Sequence, residues 1–129
     1  MRFEVVTAFI VGSLLPVLET MRRGIDHWAV SFSTMFEDYV AGGLLLVGAI
    51  VSVRSKTYAL PLLLASWAYA TGMMSSSFWY QLESTIRGVG LETNNSTVLG
   101  FKAVLWGTCV MSVACCIRRS YARQRKHGA

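Results

Sequence analysis

Residues 57–82 read TYALPLLLASWAYATGMMSSSFWYQL, 26 positions without a charge between Lys56 and Glu83. At about 20 residues per crossing, this run is long enough to traverse a bilayer alone. Its Pro61 falls in the first turn, where the missing N–H would have no intrahelical partner anyway. Tyr58, Trp67, Trp79 and Tyr80 place aromatic rings near both ends, as membrane interfaces favour.

Outward from this stretch lie three shorter uncharged runs, Val5 to Leu18, Tyr39 to Val53 and Ala103 to Ile117, of 14, 15 and 15 residues. At 1.5 Å per residue each rises about 21 to 23 Å, less than a hydrocarbon core of about 30 Å. Each must therefore thin the membrane or draw its bounding charges inward. Buried helices of a water-soluble bundle would need polar faces, which these runs lack. The reading is an all-α integral membrane protein, a single four-transmembrane-helix bundle over 1–129. Its spans are about 3–21, 37–54, 57–80 and 97–117, followed by a short basic C-terminal tail, 118–129.

The composition agrees. Of 129 residues 53% are apolar and 15% charged, with mean hydropathy +0.47, whereas soluble domains carry roughly a quarter charged. The apolar content excludes a disordered chain. Three cysteines, Cys109 in mid-span and the adjacent Cys115 and Cys116, form neither a disulfide framework nor paired metal hooks. Arg2 before an apolar run resembles a signal-peptide start, but Glu4 interrupts it and no small-x-small cleavage site follows, so it reads as an uncleaved first helix.

The net charge of +5 is a matter of topology. Four spans place Arg2, Arg54, Lys56, Arg118, Arg119, Arg123, Arg125 and Lys126 on one side and Arg22, Arg23 and Arg87 on the other. Eight against three puts both termini in the cytoplasm, in a plasma or bacterial inner membrane. The basic tail then reads as an anchor beside anionic lipid. No basic helix face or aromatic-and-glycine strand motif points to nucleic acid.

In the first outer loop Ile25, Trp28, Phe32, Phe36 and Tyr39 recur at steps of three and four, with polar residues largely between them. This pattern predicts an amphipathic helix on the interface or leading into the second span, with Asp26, His27 and Trp28 as interfacial residues. One His beside one Asp makes a weak metal site, so no metal or cofactor is expected.

The chemistry-bearing residues share one level. Glu19 lies 15 residues beyond Glu4, Asp38 lies 16 before Arg54, and Lys102 lies 16 before Arg118. Each therefore stands about 22 to 24 Å above the same membrane face, where the third span contributes Ser75, Ser76 and Ser77. Isolated charges cost at least about 2.5 to 3.5 kcal/mol in lipid. Turning Glu19, Glu37, Asp38 and Lys102 inward, with Ser75 and Ser76, makes a polar layer in which Lys102 pairs with a carboxylate. Three acids against one lysine leave room for a protonated acid or a cationic ligand. The alternative is that the charges merely end the helices at the interface.

Ala68-x-x-x-Gly72, Ser66-x-x-x-Ala70, Ala103-x-x-x-Gly107 and the glycines 42, 43 and 48 offer surfaces for close helix approach, inside the bundle or in a homo-oligomer. No nucleophile, base and orienting group can be assembled, so an enzyme is disfavoured. Two functions remain: a non-enzymatic binding or accessory subunit contacting lipid or a membrane partner protein, and a small oligomeric proton-coupled transporter of a cationic or amphipathic substrate.

Overall fold

The computed structural model describes residues 2–24, 32–54, 58–88 and 95–128, together with Ala29. Among them are four long helices: α1 (Phe3–Arg23), α2 (Phe32–Arg54), α3 (Ala59–Arg87) and α4 (Asn95–His127). Three of these are long and apolar enough to cross a membrane: α1 over Phe3–Met21, α2 over Met35–Arg54, and α4. α3 contains the longest uncharged run, yet Ser66, Thr71 and the three consecutive serines dilute its hydropathy, and it falls outside that set.

Consecutive helices pack side by side, and α4 returns to α1 more sparingly to close the bundle. The core residues repeat at helical steps. On α3 they are Leu60, Leu63, Trp67, Ala70 and Met74, meeting Ala8, Val11 and Leu15 of α1 and Ala41, Leu45 and Ala49 of α2. Alternating steps of three and four keep one stripe of a helix against its neighbours.

α1 and α2 approach most closely where two glycines face each other. A methyl group on Gly42 would stand 2.7 Å from the Gly12 carbonyl oxygen and 2.7 Å from Pro16 Cγ. Pro16 lacks the N–H that would ordinarily bond the Gly12 carbonyl, and Gly42 packs against that exposed group. Further along, Thr20 Oγ1 and Tyr39 Oη lie 2.5 Å apart. Gly48 faces Ser66 Oγ, which donates to the Leu44 carbonyl across the α2–α3 interface at 2.9 Å. Gly43, Gly72 and Gly107, by contrast, have open space where a side chain would start, so no neighbouring helix of the bundle approaches closely there.

Two helices run on past the expected spans. α3 continues to Arg87, where Gly88 (φ 68°, ψ 21°) adopts the left-handed conformation that closes helices. α4 continues through His127, so the basic tail is helical, and Arg119, Arg123 and Lys126 fall at steps of four and three along it. In the first loop, Asp26, His27 and Trp28 lie outside the described residues. Phe32 and Phe36, stacked at 5.5 Å, belong to the first turns of α2 and are exposed.

Candidate functional site

The end of the bundle bearing Glu19 is hollow. All four helices line a cavity of about 880 Å³. From α1 come Leu15, Leu18 and Glu19, and from the start of α2 come Glu37 and Asp38. α3 adds a long wall that includes Tyr69, Gly72, Met73, Met74, Ser76, Ser77 and Tyr80; α4 adds Thr97, Val98, Phe101, Lys102 and Leu105. The five residues Glu19, Glu37, Asp38, Ser76 and Lys102, placed at one level by counting along the sequence, therefore border one space.

The wall is divided by chemistry. Its acids stand on α1 and α2, whereas α3 and α4 supply methionine, aromatic and aliphatic surface together with Lys102. One Glu19 carboxylate oxygen is sealed from solvent, and Glu37 is exposed. Lys102 Nζ donates to Gln81 Oε1 at 3.4 Å. The buried Gln81 in turn donates to Asn95 Oδ1, and Asn95 Nδ2 donates to Thr85 Oγ1 at 2.7 Å. This amide chain ties Lys102 to the α3–α4 side. Ser75 does not line the cavity: its Oγ accepts the Trp106 indole N–H at 2.7 Å, and Trp106 stacks on Phe78 at 5.5 Å. Ser77 lines the cavity beside Ser76. Adjacent residues on a helix point about 100° apart, so three consecutive serines cannot share one surface.

The opposite end is closed by polar contacts that the sequence reading did not assign. Glu4, 3% exposed, forms an ion pair with Arg119 of α4. The fully buried Trp67 donates its indole N–H to the Glu4 backbone carbonyl at 3.1 Å. One turn further in, Thr7 Oγ1 and the buried Ser112 Oγ are 3.3 Å apart, and Thr7 also donates to its own helix at the Phe3 carbonyl. Cys109 and Cys116 are buried on the same side of α4. The signal for the ion pair was present in the counting itself, since the levels that align Glu19 with Lys102 also align Glu4 with the Arg118–Arg119 pair. Tyr80 lines the cavity although its place near a span end gave it an interfacial role in the sequence, and Tyr69 and Phe101, which also line it, carried no such signal.

Among the described residues no group of three or more His, Cys, Asp and Glu is arranged to hold a metal ion. No protein-family model, curated protein or solved structure matches the chain.

Proposed function

We propose that the chain is a non-enzymatic membrane protein that crosses the bilayer four times, with both termini in the cytoplasm, and holds a small molecule in the cavity at its outer end, as a binding or accessory subunit. The observation that carries this reading is the cavity itself. Its volume lies within the roughly 300 to 1,000 Å³ of ligand sites, and it combines apolar lining with a few convergent polar groups, as such sites do. Membrane insertion is supported by where the apolar surface lies. Only 11% of the apolar stretch of α4 is buried within the bundle, and Val104, Met111 and Ile117 are exposed. A surface of this kind needs hydrocarbon around it rather than water. Basic residues then put Arg54 and the α4 end at the cytoplasmic face.

A second reading, proton-coupled transport, is favoured by one feature: the cavity occupies one end while Glu4, Arg119, Trp67 and Ser112 shut the other, as in a carrier open to one side. Native mass spectrometry of the protein released from membranes tests the main reading. A small-molecule adduct should accompany the wild type and be lost from Gly72→Leu, whose side chain enters the cavity. An identical spectrum for both proteins would contradict it. Ligand-dependent proton flux in proteoliposomes would replace binding by transport.

A further inference from the structure

We infer that the cavity receives the hydrocarbon chain of an outer-leaflet lipid, which enters sideways between the helices; this deepens the binding reading above and rests on the four-span orientation given there. The first observation is how the helices are joined. α1 and α2 form one pair, with Gly12 against Gly42 and Thr20 against Tyr39. α3 and α4 form a second, with Ser75 bonded to Trp106 and Gln81 to Asn95. Four contacts tie one pair to the other: Glu4 with Arg119, Thr7 with Ser112, the Trp67 indole on the Glu4 carbonyl, and Ser66 on the Leu44 carbonyl. These four lie in the cytoplasmic half of the bundle. The buried residues of α4, Cys109, Ser112 and Cys116, lie there too, and α1 meets α4 more sparingly than the consecutive helices meet each other. Above these ties the cavity stands as a wedge between the two pairs.

Depth decides what surrounds the wedge. At 1.5 Å per residue Leu15 stands about 16 Å above Glu4 on α1, and on α4 Leu105 and Phe101 stand about 10 and 16 Å above Ser112. In a hydrocarbon core of about 30 Å the floor is therefore close to the midplane, and the walls rise through the outer leaflet. Gaps between helices at that depth open onto lipid chains. Tyr69 and Phe101 line the cavity yet are 41% and 48% exposed, so its lining is continuous with the lipid-facing surface. Polarity is graded along the same axis. Leu15, Met74 and Leu105 form an apolar floor, whereas Ser76 stands about 15 Å beyond Ser66, and Thr97 about 22 Å beyond Ser112, towards the outer surface. Water does not fill an apolar recess, and a polar solute arriving from outside would leave the floor bare. A lipid of the outer leaflet already holds its head outward and its chains towards the midplane, so it fits this gradient without turning over. Glu19, Asp38 and Lys102 are each already engaged, and recognition therefore lies in the apolar depth of the wedge rather than in a charge.

Two neighbouring environments make the inference testable. Met74 borders the cavity and is 5% exposed, so a chain reaches it only from within the wedge; Val104 is 69% exposed and reports ordinary contact with hydrocarbon. The full chain is placed in nanodiscs of phosphatidylcholine carrying a diazirine either midway along one chain or on the head group, irradiated, and mapped by peptide mass spectrometry. The chain probe should label both Met74 and Val104, and the head-group probe should not label Met74. Gly72 borders the cavity and a methyl there meets nothing within 4 Å, so Gly72→Leu fills the wedge. With an unfolding temperature matching the wild type, it should cut Met74 labelling at least about tenfold and leave Val104 unchanged. The adduct in the native mass spectrum should have the mass of the disc lipid. Val104 labelled and Met74 unlabelled, with Gly72→Leu still removing a small-molecule adduct, would overturn the lipid chain and keep the cavity as a site filled from water. The same labelling with a dimer in the native spectrum would give the wedge to a second copy of the chain and likewise overturn the lipid. Met74 labelled by the head-group probe, or labelled equally in Gly72→Leu, would overturn the chain-inward placement. Neither Met74 labelling nor any adduct would overturn the cavity as a site, and absence of labelling at Val104 would overturn membrane insertion and the inference with it.

Discussion

Adjacent glycines on α2 allow the packing of the bundle to be tested with a built-in control. Gly42→Ala places a methyl 2.7 Å from the Gly12 carbonyl oxygen and 2.7 and 2.8 Å from Pro16 Cγ and Cδ, while the same change at Gly43 meets nothing within 4 Å. Ordinary contact begins near 3.4 Å, so α1 and α2 must separate by several tenths of an ångström or more. The obstacles are a backbone carbonyl and a proline ring, neither of which can rotate away. Overpacking of a well-packed interface costs about 1 to 3 kcal/mol, and the rigid neighbours place Gly42→Ala near the upper end. Both substitutions gain about 0.5 to 1 kcal/mol of helix preference over glycine. The expected net effects are therefore a loss of about 2 kcal/mol for Gly42→Ala and no loss, or a small gain, for Gly43→Ala. Equilibrium unfolding in mixed micelles with increasing denaturing detergent measures both. Equal stabilities for the two variants would refute the packing argument.

Removing one partner of a buried ion pair costs about 3 to 5 kcal/mol; because Arg119 keeps 31% of its side-chain surface exposed, Arg119→Met should fall near 3 kcal/mol, and adding Glu4→Gln should recover part of the loss in the same unfolding assay. Trp67→Phe keeps one aromatic ring but deletes the N–H that reaches the Glu4 carbonyl and the rest of the indole from a fully buried position, and should cost about 1 to 3 kcal/mol through the lost hydrogen bond and the space left behind. At the other end, Lys102→Met and Glu19→Gln should be non-additive by about 0.5 to 3 kcal/mol in a double-mutant cycle if they act as one charged layer. Additivity with each of Glu19, Glu37 and Asp38 would show that the layer is not energetically coupled.

Much of the bundle was legible in hydropathy, and its helix ends were not. The helix that carries most of the span expected at 57–80 begins at Ala59 and reaches Arg87, and the span expected at 97–117 lies inside a helix reaching His127. Apolarity marks where lipid contact stops, whereas a helix continues as long as its residues favour it. Ala122, Arg123, Gln124, Arg125 and Lys126 are all good helix formers. The cavity acids and Lys102 could be grouped because rise per residue converts sequence separation into height. Height says nothing of rotation, which is why Ser75 was included although its hydroxyl turns to Trp106. Glu4 was treated as a boundary charge, a role that an N-terminal acid on an exposed helix would have; counting puts it level with Arg119, and the packing of α4 and Trp67 against it makes the pair a buried one.

The orientation of the cavity is the claim on which the functional reading stands, and thiol labelling tests it directly. Tyr80 lines the cavity and is 73% exposed, whereas Tyr121, 66% exposed, lies on the basic end of α4. With Cys115 replaced by Ser, the remaining Cys109 and Cys116 are buried, so each added cysteine reports its own position. A membrane-impermeant maleimide applied to intact cells should label Tyr80→Cys, and should label Tyr121→Cys only after permeabilisation. Labelling of both from outside, or of Tyr80→Cys only after permeabilisation, would contradict a four-span protein whose cavity faces the exterior.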